Sequence, residues 1–300
     1  MSVTIVVGGP SPEDARSKVA AYLALADQPV LASRAGAGAN VDYSIDWQGQ
    51  RYILQQLPCA FVQPDVRIVI GPGVPVHLDA LLGEVERLGV ANRLGIDPLC
   101  PVFRDGDGEA QPTRLPAGEF PELQPFLADV PLELNIAAAQ NRNVLIEGAP
   151  GGPALAQAAP YPLGSTFETT AQSCCTDVGL GPTRVTQVVL VLSVFMPGGE
   201  TGKKGRGQRA SVPSESVFGD NDAESAAYIE TARRLALING ATQLTLTGVE
   251  GRYGRAFGVQ RRGNLPGEVR RLIDGMEESI GVPVALVSTG PQIEHMIDLR

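Results

Sequence analysis

The side chains that most often do chemistry are thinly spread in this chain. Histidine occurs only at His77 and His295, and cysteine only at Cys59, Cys100, Cys174 and Cys175. Two histidines and no CxxC pair offer no zinc-ligand spacing, and they weigh against a nucleophile activated by histidine. The cysteines form no disulfide-dense pattern, so they read as reduced thiols and the chain reads as cytoplasmic. Lysine occurs only at Lys18, Lys203 and Lys204, every other basic residue being arginine. Acids, hydroxyls and a few cations remain as the groups to place.

Composition excludes whole classes of partner. A chain of 300 residues with 43% hydrophobic and 19% charged side chains can bury a sizeable core. Its net charge of -9 argues against general nucleic-acid binding, whose affinity comes mainly from neutralised phosphates. No apolar run approaches the ~20 residues needed to span a bilayer, and Met1 leads directly into the short run Val3 to Val7, so no membrane partner is expected.

The elements that must position the reactive groups alternate. Val3 to Val7, Val66 to Ile70, Val144 to Ile146, Val185 to Val194, Leu244 to Leu246 and Val284 to Val287 read as buried strands. The spacing predicts helices over Leu78 to Leu88, closing on Gly89, and over Ala223 to Ile238, opening with the pair Asn221 and Glu224 and closing on Gly240. A third follows from the apolar face of Val269, Leu272, Ile273, Met276 and Ile280, ending at Gly281. This is an α/β pattern, expected to form one domain with a mainly parallel sheet covered on both faces and ligands beyond the strands' carboxyl ends. Two stretches break the alternation. Pro101 to Pro131, with six prolines and Asp105-Gly106-Asp107-Gly108, reads as an extended surface connection; Pro197 to Pro213 reads as a mobile, basic, glycine-rich loop.

Glu147-Gly148-Ala149-Pro150-Gly151, Tyr161-Pro162, Thr169-Thr170-Ala171 and Gly179-Leu180-Gly181-Pro182 resemble, at matching spacing, the EGAQG, YP, NTTAGG and GxGP motifs of the adenylosuccinate synthetase family. Gly281-Val282-Pro283-Val284 and Ser288-Thr289-Gly290-Pro291 are similar to that family's GVP and STGP segments, and Arg34, Gly38, Asn40, Gly49 and Pro58 fall where it has its second substrate loop and hairpin. The resemblance implies a synthetase-type sheet. It also implies a ligase reaction in which GTP phosphorylates the six-oxygen of IMP and the amine of aspartate displaces the phosphate, with Mg²⁺ bridging the phosphates.

Carried over residue by residue, the resemblance aligns Pro12 to Lys18 with the phosphate loop GDEGKGK. Glu13 then stands for the catalytic base and a metal ligand, with Arg16, Ser17 and Lys18 as phosphate-binding residues, although every glycine of the motif is replaced. The same stretch also reads as an ordinary helix start, with Ser11 at the N-cap and Pro12 at the first helical position. In the second loop Asn40 is implied to face substrate, Tyr43 takes the place of the acid histidine, and Asp42 is either a Mg²⁺ ligand or a turn residue. Pro150 replaces the glutamine that contacts the base, whereas Ser165 keeps a hydroxyl at a nucleotide-phosphate position. Thr247-Gly248-Val249-Glu250 stands at the guanine-reading TKxD motif, with Thr247, Glu250, Ser288, Thr289 and Gly290 implied around the base. The family's ATGRGIGP-like middle region, its subunit-crossing arginine and its arginine-rich aspartate segment have no evident counterpart. The 101–131 stretch replaces the first of these, and Arg206 and Arg209 are the available substitutes for the last.

Two functions from different classes follow. One is a shortened, divergent ligase using GTP or ATP with Mg²⁺ to activate a purine-nucleotide-like carbonyl for attack by an amine, such as that of an amino acid. The other is a nucleotide-binding pseudoenzyme that kept the fold without the chemistry. The preserved acid, cation and hydroxyl types favour the ligase, and the substitutions predict poor adenylosuccinate formation from IMP, GTP and aspartate. A homodimer stays open.

Overall fold

The computed structural model describes residues 2–10, 15–36, 43–104, 115–148, 170–194 and 222–300. The N-terminal part runs β1 (Val3–Gly8), α1 (Arg16–Asp27), β2 (Leu31–Arg34), a hairpin of β3 (Tyr43–Trp47) and β4 (Gln50–Leu54), β5 (Arg67–Ile70), β6 (Val76–His77), α2 (Leu78–Leu88) and β7 (Leu94–Ile96). Then come β8 (Pro101–Phe103), β9 (Leu115–Pro116), α3 (Val130–Ala139), β10 (Val144–Glu147) and α4 (Ala171–Val178). The last part contains β11 (Gln187–Ser193), α5 (Asp222–Asn239), β12 (Gln243–Thr247), α6 (Val249–Arg252), α7 (Gly267–Ile280), β13 (Val284–Ser288) and β14 (Met296–Asp298).

Nine of these strands form one sheet in the order β14-β13-β12-β11-β1-β10-β2-β5-β7. All neighbours are parallel except β13 and β14, which confirms the expected mainly parallel α/β architecture. Parallel strands covered on both faces must be apolar throughout rather than alternating. β1 obeys this: all six residues of Val3–Gly8 are buried, and Ile5, Val6 and Val7 have no exposed surface. Each such side chain contributes about 1.5–3 kcal/mol on burial. One apolar cluster packs α1, α2 and the hairpin on one face, with Trp47, Tyr52 and Phe61 in mutual ring contact; a second packs α3, α4, α5 and α7 on the other.

The strong helix signals are realised. α2 spans Leu78–Leu88 and closes on a left-handed Gly89, and α7 closes on a left-handed Gly281. α5 runs to Asn239 ahead of left-handed Gly240; the side chains of Asn221 and Glu224 at its start lie outside the described residues.

The 101–131 stretch requires correction. Its described residues are not a surface strap: β8 pairs with β6 and β9, short 3-10 turns follow at Ala117–Glu119 and Pro121–Phe126, and Val102, Ala117, Phe120, Leu123 and Val130 are buried. Proline punctuates this segment without expelling it, because extended and 3-10 conformations accept the fixed φ of proline while adjacent apolar side chains reach the core. Residues 105–114, including the Asp-Gly repeat, and the basic stretch 197–213 lie outside the described residues. Among the described residues, no helix is long and apolar enough to cross a membrane.

Candidate functional site

β1 ends at Gly8, and α1 begins at Arg16 after a left-handed Ala15 with φ 58° and ψ 30°. The Ala15 carbonyl accepts from the backbone N–H of Lys18 and Val19 at 3.1 and 3.2 Å, starting the helix. Ser11 is therefore not its N-cap: Ala15 occupies that position, makes no side-chain cap bond, and the first turn contains no acid. The backbone explains the change. Ala15 stands where the resemblance places a glycine, and it keeps the left-handed conformation at a cost of roughly 1–2 kcal/mol, so the shape of the turn survives the loss of the residue that makes it easy. Arg16, Ser17 and Lys18 follow, all buried.

Lys18 ties this turn to the far side of the sheet. Its Nζ donates to Ser288 Oγ, at the end of β13, and to the Gly290 carbonyl. Burial pushes its pKa down to about 8, partly offset by the negative Glu250. Glu250 occupies the first turn of α6, which starts at a left-handed Gly248 directly after β12, and its Oε2 is buried without a hydrogen-bond partner among the described residues. Thr247 is buried at the end of β12. Thr289 Oγ1 donates to the Val259 carbonyl at 2.7 Å, so that hydroxyl fixes the loop. Lys18, Glu250, Ser288 and Gly290 are thus brought together beside α1, whereas Arg16 and Ser17 lie toward Glu147 and Cys59.

On the other side of α1 lies a sealed group. Arg34 ends β2 and Glu147 ends the adjacent β10, the two being register partners. The Arg34 guanidinium sits 3.2 Å from the ring centroid of Tyr43, which begins β3. Glu147 Oε2 accepts from the Cys59 N–H at 2.7 Å, while Oε1 is buried without a hydrogen-bond partner among the described residues. Burial raises the Glu147 pKa against the opposing pull of Arg34, and burial drives the Cys59 thiol well up. Gly148 continues the strand where a Cβ would lie 2.7 Å from the Val6 carbonyl, so only glycine fits that crossing.

Tyr43 is the sequence-derived acid that this geometry serves least. It is 4% exposed, its hydroxyl has no hydrogen-bond partner among the described residues, and burial raises its pKa further, with Arg34 pulling the other way. Its ring holds Arg34 in place. Sequence reasoning named Arg34 and Glu147 as motif letters and gave them no role; their apposition depends on the register of two strands more than a hundred residues apart. Ser17 is engaged with the Cys59 thiol. Glu13, Asn40, Asp42 and Ser165 lie outside the described residues, as do Pro150 and most of the central motif. The end of that motif is described: Thr170 caps α4 by accepting from Ser173 N–H at 3.2 Å, and Gly179 closes the helix in the left-handed conformation. Among the described residues no group of three or more His, Cys, Asp or Glu could hold a metal ion.

The fold and these gathered strand ends define the class: a mainly parallel α/β protein of the synthetase type, with its candidate site at the carboxyl edge of the sheet. The sequence model of the family described as adenylosuccinate synthetase matches residues 5–103. Adenylosuccinate synthetase of Archaeoglobus fulgidus is 33% identical over 339 positions, covering 100% of this chain and 99% of the relative. That of Pyrococcus horikoshii is 33% identical over 341 positions with the same coverage. The chain belongs to the adenylosuccinate synthetase family. Fully ligated adenylosuccinate synthetase from Plasmodium falciparum shares the fold at a TM-score of 0.79 and 14% identity, covering 100% of both chains. Cyanophage S-2L succinoaminodeoxyadenylate synthetase, bound to dGMP and dATP, does so at 0.71 and 16%, covering 99% of this chain and 95% of that one. The archaeal relatives are covered almost entirely, so a compact length is not peculiar to this chain. Their names support a ligase of the adenylosuccinate synthetase type, and nothing in these likenesses favours the pseudoenzyme.

Proposed function

We propose that the chain is an adenylosuccinate synthetase-type ligase that uses a nucleoside triphosphate, ATP or GTP, to activate a carbonyl oxygen of a purine nucleotide, which an amine then attacks. The observation that carries this reading is the bridge from Lys18 to Ser288 and Gly290. It joins the turn assigned to phosphates with the loop assigned to the base, past the two strands β11 and β12 that separate β1 from β13. Lys18 acts by positioning the two loops; Arg16, whose charge acts on Glu147 and Tyr43, is assigned to the phosphates by its place in the motif. Glu13 is the general base of this scheme, with Asn40 toward the acceptor and Ser165 toward its phosphate. Tyr43 orients Arg34 and transfers no proton. Mg²⁺, with Glu13 and Asp42 as its ligands, would neutralise charge on the triphosphate; the described residues contain no metal-binding cluster. The segment 101–131 takes the place of the family's middle region within one domain.

The test is a panel of ATP, GTP and dATP against IMP, dGMP and AMP, with aspartate and Mg²⁺, read by phosphate release and product mass. IMP with aspartate is the pair to which the relatives' name points, and dGMP with dATP is the pair bound by the cyanophage protein. At least one pair should turn over, and Glu13→Gln should abolish that turnover while leaving triphosphate binding largely intact. Binding without turnover in every pair would sink the ligase reading.

A further inference from the structure

The ends of β12 and β13 carry a feature that the motif residues do not explain. Phe257 is 61% exposed, a placement that forgoes the burial a phenyl ring usually gains. It is nevertheless held in place. It follows a 3-10 turn at Gly254–Ala256 that packs on α6, and the next residue, Gly258, donates its N–H to the Thr289 carbonyl at 2.8 Å. Thr289 returns the tie through Oγ1 to Val259. The Phe257 ring meets the imidazole of His295 edge to face, with centroids 5.7 Å apart and planes at 61°. His295 in turn lies against Gly290, where a Cβ would fall 2.4 Å from Nδ1, so only glycine admits the ring.

A rigid aromatic ring, braced on one edge and exposed to solvent, thus stands beside Thr289 and Gly290 and on the same loop system as Glu250. We infer that Phe257 is the platform on which the base of the triphosphate stacks, with His295 bracing it. The inference rests on the reading that this edge of the sheet takes a triphosphate. Every purine has a π face, so the platform serves adenine and guanine alike; any discrimination between them falls to Glu250.

The test uses the full chain, with ATP, GTP and inorganic tripolyphosphate titrated in the presence of Mg²⁺ into wild type, Phe257→Ala and Phe257→Trp. Phe257 is exposed and its hydrogen bonds are made by neighbouring backbone, so the variants should fold. Phe257→Ala should weaken ATP and GTP by about 10-fold and leave tripolyphosphate unchanged, and Phe257→Trp should restore wild-type affinity or exceed it. Equal nucleotide affinity in wild type and Phe257→Ala would overturn the platform while leaving the ligase reading intact. A parallel loss of tripolyphosphate would also overturn it, by showing a purely structural effect. If wild type binds none of the three probes, both readings fall together.

Discussion

Two polar clusters flank the start of α1, and they are built in opposite ways. Toward β13, Lys18 is held by a hydroxyl and a carbonyl, its pKa pushed down to about 8 by burial, beside a Glu250 oxygen that meets no donor among the described residues. Toward β2 and β10, Arg34 is pressed on the Tyr43 ring and Glu147 is locked to the Cys59 backbone, all of them buried. The first cluster can change its partners when a ligand arrives. The second is buried and held by strand register and ring contact, with Glu147 Oε1 left without a partner among the described residues.

The contrast predicts its largest effect at Lys18. Lys18→Met keeps the stem and deletes the charge that joins the loops, and kcat/KM for the triphosphate should fall by about 10²-fold or more in a phosphate-release assay. A loss of less than about 3-fold would mean that the bridge is not used. The same residue gives a pH signature. Folding lowers its pKa from 10.5 to about 8, so between those values the unfolded chain binds more protons than the folded one. Stability of wild type relative to Lys18→Met should therefore rise with pH across that window, by up to about 3 kcal/mol, and stay flat below pH 8, where both states hold the proton. Urea titrations at pH 7.5, 8.5 and 9.5 would show it, and a falling difference would contradict the burial of the ammonium group.

On the sealed side the effects should appear in stability. Glu147→Gln removes the charge facing Arg34 and should cost about 1–3 kcal/mol in urea unfolding. Tyr43→Phe should be the mildest, changing stability by less than about 1 kcal/mol, because its hydroxyl has no partner among the described residues. Turnover should stay within a few-fold of wild type, whereas a proton-donating Tyr43 would show a loss of ~10²–10⁴-fold.

What could be read from the sequence divides along a related line. The strands of β1, β5, β10, β11, β12 and β13 announce themselves because a strand buried on both faces must be a β-branched run, and α2 and α7 because an apolar stripe and a closing glycine are local facts. β2 and β7 are too short for a pattern. The β3–β4 hairpin is expected only from the resemblance at Gly49 and Pro58, because its turn at Gln48-Gly49 is not among the strong hairpin pairs. Ser11 to Asp14 imitate a helix cap, and only the backbone angle at Ala15 shows the helix starting later. In the site, the residue types at Lys18, Glu250 and Ser288 were legible through the family motifs. That Lys18 reaches Ser288, and that Glu147 lies opposite Arg34, follow from tertiary register that no local pattern encodes.

The Lys18–Ser288 bridge spans 270 positions of sequence. A chain is made from its N-terminus at ~5–20 residues per second, so roughly 15–55 s separate synthesis of Lys18 from that of its acceptor. Throughout that interval α1 carries a lysine whose buried seat does not yet exist, and the ammonium must stay in water. The turn at Ala15 is made well before the base loop to which its lysine connects.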